Sequence, residues 1–484
     1  MVVDLRLITK LLGSSLFWLG IIAIVPALYA LFSKTPGTLE FLLTAAVGTA
    51  IGALLRFFSK NASLKASLRE LFLFTGVLWL CMTLLGIIPF YTILPDLNFA
   101  SSFFESASAL STTGSTVISN LDSRPPAILL WRSILQFLGG IGFVVIGVAI
   151  LPNIAMGGMA LFKTESTSFD GNAKNTPHIK TMALSILSWY LLTAALCSFF
   201  YYLGGFDPFL AINSALCTVS TGGMMPIDAS MNDASPFIHY TAMVFMFLGS
   251  CPFLLILRSL ADDFFDFFRD EQVRYYLVFI VVLSISIAIT LIKFNNYDIE
   301  HAFRIAFFNV IAVLSSTCFG LEDFSQWNSF ATIVFTMILG IGGCAGSTAG
   351  GIKIFRIVVC FSMFKTEIVK SLHPHAMIEP RYNKRPIDSN TMRAVVTYLV
   401  AYLLVTATSS VIAASYGLEP GDAFTFTVSS LSNIGQGMGP TINPSINNVS
   451  LRDELYFLFG LDMLLGRLEI LPVLLCFTRI FWRR

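Results

Sequence analysis

Apolar residues run in long stretches along this chain, separated by short polar segments. Each stretch holds about 20 mostly apolar residues, the length that a helix needs to cross a lipid bilayer. About ten such runs lie at Leu11–Phe32, Leu39–Phe58, Leu71–Phe90, Ala127–Leu151, Thr181–Leu203, Phe237–Leu257, Tyr275–Ile292, Phe330–Phe364, Met392–Tyr416 and Leu455–Phe477. No small-residue cleavage pattern follows the first run, so we expect a retained helix there rather than a signal peptide. The pattern predicts an all-α integral membrane protein.

Four shorter apolar segments interrupt this pattern, and each ends in a cluster of Ser, Thr and Gly. The clusters are ALSTTGST (Ala109–Thr116), TVSTGGMM (Thr218–Met225), VLSSTCFG (Val313–Gly320) and SLSNIGQG (Ser430–Gly437). The segments before them, such as DPFLAINSALC, are too short to span a bilayer but long enough for a half-helix that enters and turns back. The chain therefore repeats a unit of helix, half-helix, loop and helix four times.

Loops of this kind restrict what the four repeats can build. Non-helical backbone is tolerated at membrane depth only where it is buried in protein or lines a water-filled cavity. Four loops around one axis would form rings of carbonyl oxygens, with glycine supplying backbone angles that other residues resist. Small residues in one loop could equally serve close helix packing. Four clusters in matched positions favour an ion selectivity filter.

A further interruption is the glycine-rich stretch ILGIGGCAGSTAGGIKIFR, at Ile338–Arg356. It lacks the phosphate-binding pattern, because Lys353 is followed by Ile354 where that motif has Ser or Thr. Each glycine inside a helix costs about 1 kcal/mol relative to alanine, so the stretch predicts a broken helix. A kink that only shapes helix packing is the alternative.

Composition supports the membrane assignment and excludes several functions. Hydrophobic residues make up 55% of the 484 positions, charged residues 12%, and the mean hydropathy is +0.77. A net charge of +1 gives no reason to expect a nucleic-acid partner. The cysteines contain no CxxC pair that would indicate a zinc site or a disulfide framework. The histidines fall at loops or helix ends, so an enzyme is not expected.

Charged residues divide the connections into two sets. Basic residues gather in four of them: Lys60, Lys65 and Arg69; Lys163, Lys174 and Lys180; Arg258, Arg269 and Arg274; and Lys365, Lys370, Arg381, Lys384 and Arg385. Carboxylates occupy the alternate ones, at Asp96, Asp207, Asp228, Asp233, Glu322, Asp323, Glu419 and Asp422. Because cytoplasmic loops carry an excess of Lys and Arg, we expect the basic loops and both termini on the cytoplasmic side.

Together these features resemble the Trk/Ktr/HKT superfamily of potassium transporters, and within it the bacterial TrkH-type pore-forming subunit. The resemblance covers nearly the whole chain, and the stretches GGCAGSTAGGIK and LLGRLEILP are specific to the family. It implies an N-terminal helix pair at 1–62. It also implies four pore repeats, at 63–160, 161–262, 263–372 and 373–484, the third with a broken second helix.

The same resemblance implies a function and its partners. It implies potassium uptake across the bacterial cytoplasmic membrane, with the potassium ion as substrate and no cofactor bound by this chain. It also implies a homodimer in membrane lipid and a cytosolic nucleotide-binding regulatory ring of the TrkA type. A sodium-permeable transporter, or a cation symporter coupled to H⁺ or Na⁺ with the same fold, is the alternative. A secondary transporter with inverted halves would show two broken helices instead of four like-oriented loops.

Carried over position by position, the family's filter falls in the four clusters. The implied potassium-binding residues are Thr112, Thr113, Gly114, Thr221, Gly222, Gly223, Ser316, Thr317, Cys318, Asn433, Ile434 and Gly435. Cys318 stands where the family has glycine. Because cysteine disfavours positive φ, we expect a different conformation in the third loop, with Gly320 absorbing the strain.

The family's gate corresponds to the glycine-rich stretch and to an arginine in LLGRLEILP. The implied gate residues are Gly342, Gly343, Gly346, Ser347, Thr348, Gly350, Gly351, Lys353 and Arg467. By resemblance Arg467 projects into the pore, where its charge would oppose cations and its donors could hold loop carbonyls. Lys353 could instead extend to the cytoplasmic interface. Asp462 could be a cation site or the partner of Arg467.

Polar side chains also occur inside the half-helices. Glu105, Asn213 and Asn309 are placed to brace the loops through backbone hydrogen bonds, and we expect no direct ion contact from them. Glu469, two residues after Arg467, is a further candidate for the gate.

Overall fold

A computed structural model describes residues 4–60, 67–150, 176–438 and 451–482 of the chain. Its helices are α1 Leu5–Ile22, α2 Ile24–Ser33, α3 Thr38–Phe58, α4 Leu68–Ile93, α5 Phe99–Leu110, α6 Pro126–Ile150, α7 Thr176–Leu203, α8 Pro208–Val219, α9 Pro236–Gly249, α10 Phe253–Ala261, α11 Phe265–Arg269, α12 Glu271–Phe294, α13 Ile299–Leu314, α14 Ser329–Ile338, α15 Ile354–Leu372, α16 Ser389–Ser415, α17 Pro420–Leu431, α18 Asp453–Arg467, α19 Leu471–Cys476 and α20 Arg479–Trp482. Between α15 and α16, strands β1 (Arg381–Tyr382) and β2 (Arg385–Pro386) form an antiparallel hairpin. Lys65, Lys163 and Lys174, which the charge pattern assigns to cytoplasmic loops, lie outside the described residues.

Several described helices are long and apolar enough to cross a bilayer. They are Leu5–Ser33 (α1 with α2), Thr38–Phe58, Arg69–Ile93, Thr181–Leu203, Glu271–Phe294 and Ser389–Ser415. The predicted multi-pass, all-α architecture is confirmed.

Besides the predicted break in Phe330–Phe364 and the one-residue break between α1 and α2, two predicted spans are not continuous helices. The run Phe237–Leu257 is divided into α9 and α10, which meet at 95°. The run Leu455–Phe477 is interrupted after Arg467, where Glu469 and Ile470 have φ of +64° and +52°. The prediction is wrong at both places, because an apolar run does not reveal where other elements hold the chain out of helical geometry. At the first break Pro252, which has no N–H, is the N-cap residue of α10.

The four half-helices predicted from the repeats are α5, α8, α13 and α17. Three begin with a side-chain cap, in which Asn98, Asp207 and Asp298 accept from N–H groups of the first turn. Each ends at a serine in helical geometry: Ser111, Ser220, Ser315 and Ser432. Three of these helices have 12 residues and α13 has 16, so they reach about 18 and 24 Å, less than the roughly 30 Å of a bilayer core.

The N-terminal pair packs outside this centre. Helices α1 and α3 approach so closely that a β-carbon on Gly52 would lie 2.6 Å from the Phe17 nitrogen, and one on Gly20 would lie 2.7 Å from the Thr49 nitrogen. Small residues permit such close backbone contact between membrane helices. The outer face carries large apolar side chains, among them Phe32 and Phe57, which are 82% and 75% exposed. Lipid is the environment that suits this face.

Candidate functional site

The loops that follow the half-helices share one backbone course; we call them central loops 1 to 4 (residues 111–116, 220–225, 315–320 and 432–437). The residue after each helix-ending serine has positive φ: Thr112 (56°), Thr221 (54°), Ser316 (56°) and Asn433 (53°). The next N–H donates back to its own half-helix: Thr113 to Ser108, Gly222 to Cys217, Thr317 to Ala312 and Ile434 to Ser429, at 2.8–3.0 Å. Each loop is therefore locked to its half-helix in the same way.

A second residue in each central loop, two positions after the first, also has positive φ. Its value in loop 3 corrects the expectation for that loop. The values are 94° at Gly114, 75° at Gly223, 62° at Cys318 and 82° at Gly435. Cys318 thus adopts the geometry of the three glycines, and Gly320 is not among the glycines with positive φ. The expected departure of loop 3, with strain moved to Gly320, is wrong. The surrounding loops impose the common conformation on a residue that disfavours it.

The glycines of the central loops pack against carbonyl groups of the neighbouring loops. A β-carbon on Gly114 would overlap the Gly222 oxygen of loop 2, and one on Gly223 would overlap the Thr317 oxygen of loop 3. A β-carbon on Gly435 would overlap the Thr113 oxygen of loop 1. The contacts run from loop 1 to 2, 2 to 3 and 4 to 1, so the loops surround one axis.

The junction between loops 3 and 4 is made differently. Here Gln436 donates from Nε2 to the Phe319 oxygen at 3.2 Å. The Cys318 side chain lies between loops 1 and 4, since its Sγ would be 3.3 Å from a β-carbon on Gly114 and 2.8 Å from one on Gly435. The thiol therefore occupies space that the other three loops leave to backbone.

A buried ion pair braces loops 1 and 2. Glu105 in α5 accepts from Arg132 Nε at 2.8 Å, from Thr116 Oγ1 at 2.9 Å and from the Val117 N–H at 2.9 Å. Arg132 Nη1 also donates to the Met225 oxygen at 3.2 Å. The bracing role of Glu105 was expected, whereas Arg132 was missed. Its signal was a charged residue inside the apolar run Ala127–Leu151.

The two asparagines differ in what they hold. Asn309 donates to the Leu321 oxygen at 2.7 Å and so braces the segment after loop 3, as expected. Asn213 instead donates to Phe209 within its own helix, at 2.8 Å, and the expected contact with loop 2 is wrong. That loop is held by Gln136 of the preceding repeat, which donates to the Gly222 oxygen at 2.7 Å and accepts from the Met224 N–H at 3.2 Å.

The glycine-rich stretch forms a loop between α14 and α15, which we call the intramembrane loop (residues 339–353). Its base is closed by hydrogen bonds from the Ile352 and Lys353 N–H groups to the Gly340 and Ile341 oxygens, at 3.0 and 2.8 Å. Gly342, Gly346 and Gly351 have φ of 75°, 86° and 82°. The stretch is therefore a loop that interrupts the helix, and not a kink within a continuous helix.

The intramembrane loop lies against the ends of the half-helices. The Gly350 N–H donates to Ser316 Oγ of loop 3 at 2.7 Å. Thr348 Oγ1 lies 3.3 Å from Thr221 Oγ1 of loop 2, and a β-carbon on Gly350 would overlap the Ser432 oxygen of loop 4. The intramembrane loop therefore lies against central loops 2, 3 and 4. Two other expected gate residues lie in the same loop. A β-carbon on Gly343 would be 3.0 Å from the Ser250 β-carbon, and Ser347 Oγ donates to the Cys344 oxygen at 2.7 Å.

The break between α9 and α10, which the sequence did not indicate, holds the same loop. The Cys344 N–H donates to the Ser250 oxygen at 2.9 Å, and the Phe253 N–H donates to the Gly346 oxygen at 3.1 Å. Backbone groups freed by one broken helix are thus satisfied by another.

Arg467 ends α18 with its side chain 2% exposed. Its Nη1 donates to the Thr348 oxygen at 2.6 Å and its Nη2 to the Gly139 oxygen at 3.2 Å. The expected hold on a loop carbonyl is therefore present. Asp462 is not its partner, since that carboxylate accepts from Ser409 Oγ at 2.9 Å.

Lys353 and Glu469 are both turned inward. Lys353 is 4% exposed and donates from Nζ to the Ala349 oxygen. The alternative prediction, that its side chain extends to the cytoplasmic interface, is therefore wrong. Glu469 accepts from Arg356, which the sequence reasoning missed. The Arg356 guanidinium lies 3.7 Å from the centre of the Tyr398 ring and donates to the Ile352 oxygen at 2.8 Å. Arg356 thus links the base of the intramembrane loop to the break after α18.

Comparison with known proteins gives consistent matches over the full chain. The family model described as "TrkH: Cation transport protein" matches residues 38–482. The Trk system potassium uptake protein TrkI of Halomonas elongata is 32% identical over 479 residues, covering 99% of this chain and 97% of that protein. TrkH of Escherichia coli K12 is 31% identical over 482 residues, covering 99% of each. The crystal structure of the potassium transporter TrkH from Vibrio parahaemolyticus superposes with a TM-score of 0.90 at 30% identity, covering 99% of this chain and all of that one.

Proposed function

Since this chain belongs to the TrkH family of cation transport proteins, we propose that it takes up potassium through a pathway formed by its four central loops. It is a multi-pass membrane transporter and not an enzyme. The observation that carries the proposal is the packing of Gly114, Gly223 and Gly435 on carbonyls of neighbouring loops. This packing brings backbone oxygens of loops 1, 2 and 3 and the glycine of loop 4 together around one axis.

The chemistry of the central loops suits a dehydrated monovalent cation. Residues 111–116, 220–225, 315–320 and 432–437 contain Ser, Thr, Gly, Asn and other uncharged residues, with no Asp or Glu. Carbonyl dipoles can replace the water shell of potassium, whereas a ring of carboxylates would bind divalent ions more strongly. The Glu105–Arg132 pair lies behind the loops, where it positions backbone without adding net charge.

We assign the gate to the intramembrane loop and Arg467. The loop lies against central loops 2, 3 and 4, and Arg467 holds it at Thr348. A buried guanidinium on the route of a cation opposes its passage, since charges interact strongly where water is scarce. In this conformation the gate is closed, and opening requires the loop to leave its hydrogen-bond partners.

Other features of the family are carried over as proposals. We propose a homodimer of single-chain pores in the bacterial cytoplasmic membrane, with both termini and the basic loops inside. A TrkA-type nucleotide-binding ring would act from that side. The domain division at residues 62, 160, 262 and 372 belongs to the same proposal.

Ion flux through the purified protein in liposomes tests the function. Potassium and rubidium should enter faster than sodium and lithium, because a carbonyl ring matches the larger ions more closely. Protein-free liposomes give the background leak. Equal sodium flux would overturn the potassium assignment in favour of a sodium-permeable transporter. Potassium uptake that stops without a proton or sodium gradient would establish coupled symport instead.

A further inference from the structure

The intramembrane loop has a contact from a glutamine outside both the filter and the gate motifs. Gln272, the second residue of α12, is 1% exposed. Its Oε1 accepts from the Ala345 N–H at 2.6 Å. Ala345 lies in the middle of the loop, where the backbone has left helical geometry. A buried backbone donor needs an acceptor, and Gln272 supplies it from another helix.

Asp270 fixes the end of the helix from which Gln272 extends. It caps α12, and its Oδ1 accepts from the Gln272 and Val273 N–H groups at 2.9 and 3.3 Å. The same buried carboxylate accepts from Tyr382 Oη at 3.2 Å and from Asn383 Nδ2 at 2.7 Å. Asp270 therefore joins the support of Gln272 to the β1–β2 hairpin.

The hairpin also holds the helix that follows the intramembrane loop. The Arg381 N–H donates to Ser362 Oγ at 2.9 Å, and that hydroxyl donates to the Arg381 oxygen at 2.9 Å. The Tyr382 ring packs nearly perpendicular to Phe355, with centroids 5.2 Å apart. Phe355 is the second residue of α15. One short hairpin thus contacts both α12 and α15, near the points where each meets the loop.

We propose that Gln272 is a positioning residue of the gate, and that Asp270 makes its hold on Ala345 depend on the hairpin. This inference rests on the proposed gate. Displacing the hairpin removes the Tyr382 and Asn383 donors from Asp270, which loosens the first turn of α12 and releases Ala345. Coupling of this kind is reciprocal, so opening of the loop also loosens the hairpin.

Substitution of Gln272 tests the hold directly. Gln272→Leu removes the acceptor at similar volume, and potassium flux in liposomes should rise roughly 3- to 10-fold, the factor that one buried hydrogen bond supports. Gln272→Glu keeps an acceptor oxygen and should raise flux less than Gln272→Leu does. Gln326→Leu, which changes an exposed glutamine remote from this loop, is the matched control.

A second readout does not depend on flux. Cys344, next to Ala345, is fully buried. Its labelling by a small cationic thiol reagent, quantified by mass spectrometry, should accelerate in Gln272→Leu and in Tyr382→Phe/Asn383→Ala. Buried Cys197, in α7, serves as the internal reference and should not change. Tyr275→Phe removes an exposed tyrosine hydroxyl from α12, the helix that carries Gln272, and is the control for the hairpin variant.

The outcomes separate the two proposals. Combining the hairpin variant with Gln272→Leu should add nothing to Gln272→Leu alone, and additive effects would overturn the coupling through Asp270. If Gln272→Leu changes neither labelling nor flux in folded protein, the positioning role is overturned. Faster labelling of Cys344 with unchanged flux would support the hold by Gln272 and overturn the proposed gate.

Discussion

The central loops and the intramembrane loop are both non-helical backbone inside a membrane protein, yet they are held in opposite ways. Each central loop bonds to its own half-helix, and three of the four pack a glycine on a carbonyl of a neighbouring loop. The middle of the intramembrane loop is bonded instead to other elements, through the backbone of the α9–α10 break and through the side chains of Gln272 and Arg467. Contacts that repeat among the central loops resist separation as a unit, whereas the bonds to separate elements can be exchanged one at a time. The first arrangement suits a filter and the second suits a gate.

Breaking the ring of central loops should have the largest effect. In Gly223→Ala the β-carbon would overlap the Thr317 oxygen, at a φ of 75° that costs a non-glycine residue about 1–2 kcal/mol. We expect potassium flux to fall below roughly one-tenth of the parent rate, because loops 2 and 3 must separate. Gly205→Ala has similar φ strain but no neighbour within 4 Å, so it should retain flux. Parent-level transport by Gly223→Ala would remove this junction from the pathway.

Releasing the intramembrane loop should act in the other direction. Arg467→Ala removes a charged hydrogen bond to Thr348, worth about 1.5–3 kcal/mol, and potassium flux should rise roughly tenfold. Deleting Ala345–Ala349 should do the same, and the order of ion preference should survive both changes because the proposed filter consists of other residues. Arg452→Ala, at the exposed start of the same helix, is the control. Flux at or below the parent rate in both folded variants would assign the gate to another part of the chain.

The smallest expected effect concerns central loop 3, which has Cys318 where the other three loops have a positive-φ glycine. Cys318→Gly relieves a residue held at φ of 62° and removes the thiol between loops 1 and 4. We expect the potassium-to-sodium flux ratio to rise roughly two- to threefold, since all four junctions can then pack alike. Cys318→Ala removes the thiol but keeps the strain, and Cys81→Ala controls for loss of a distant thiol. An unchanged ratio in Cys318→Gly would assign selectivity to the other three loops.

Much of the site was predictable because its signals are local. A run of small residues after a short apolar segment marks each central loop, and the density of glycine between Gly342 and Gly351 marks the broken helix. Positions such as Gly114 and Gly435 followed from the family resemblance. The partners of these groups were not predictable, because Arg467 reaches Gly139 across 328 residues and Gln136 reaches Gly222 across 86.

Errors in the prediction have the same origin. Cysteine's own preference indicated a different third loop, but neighbouring loops hold Cys318 at the φ that glycine has. The Lys353 side chain is long enough to reach the membrane interface, but the closed base of the intramembrane loop directs its Nζ to the Ala349 oxygen. The breaks at Ser250 and Glu469 lie in apolar runs, and contacts with the intramembrane loop and with Arg356 accompany them.

The sequence by itself determined the solvent, the helical class, the four half-helices with their loops and the broken helix at the glycine-rich stretch, since hydropathy and backbone preference act over a few neighbouring residues. Only the tertiary structure decided which oxygens meet at the axis, which side chains hold the intramembrane loop, and what conformation Cys318 adopts. Inside a bilayer every exposed backbone group must find a protein partner or a wet cavity. Those partners come from distant repeats, so they exist only once the four units have assembled.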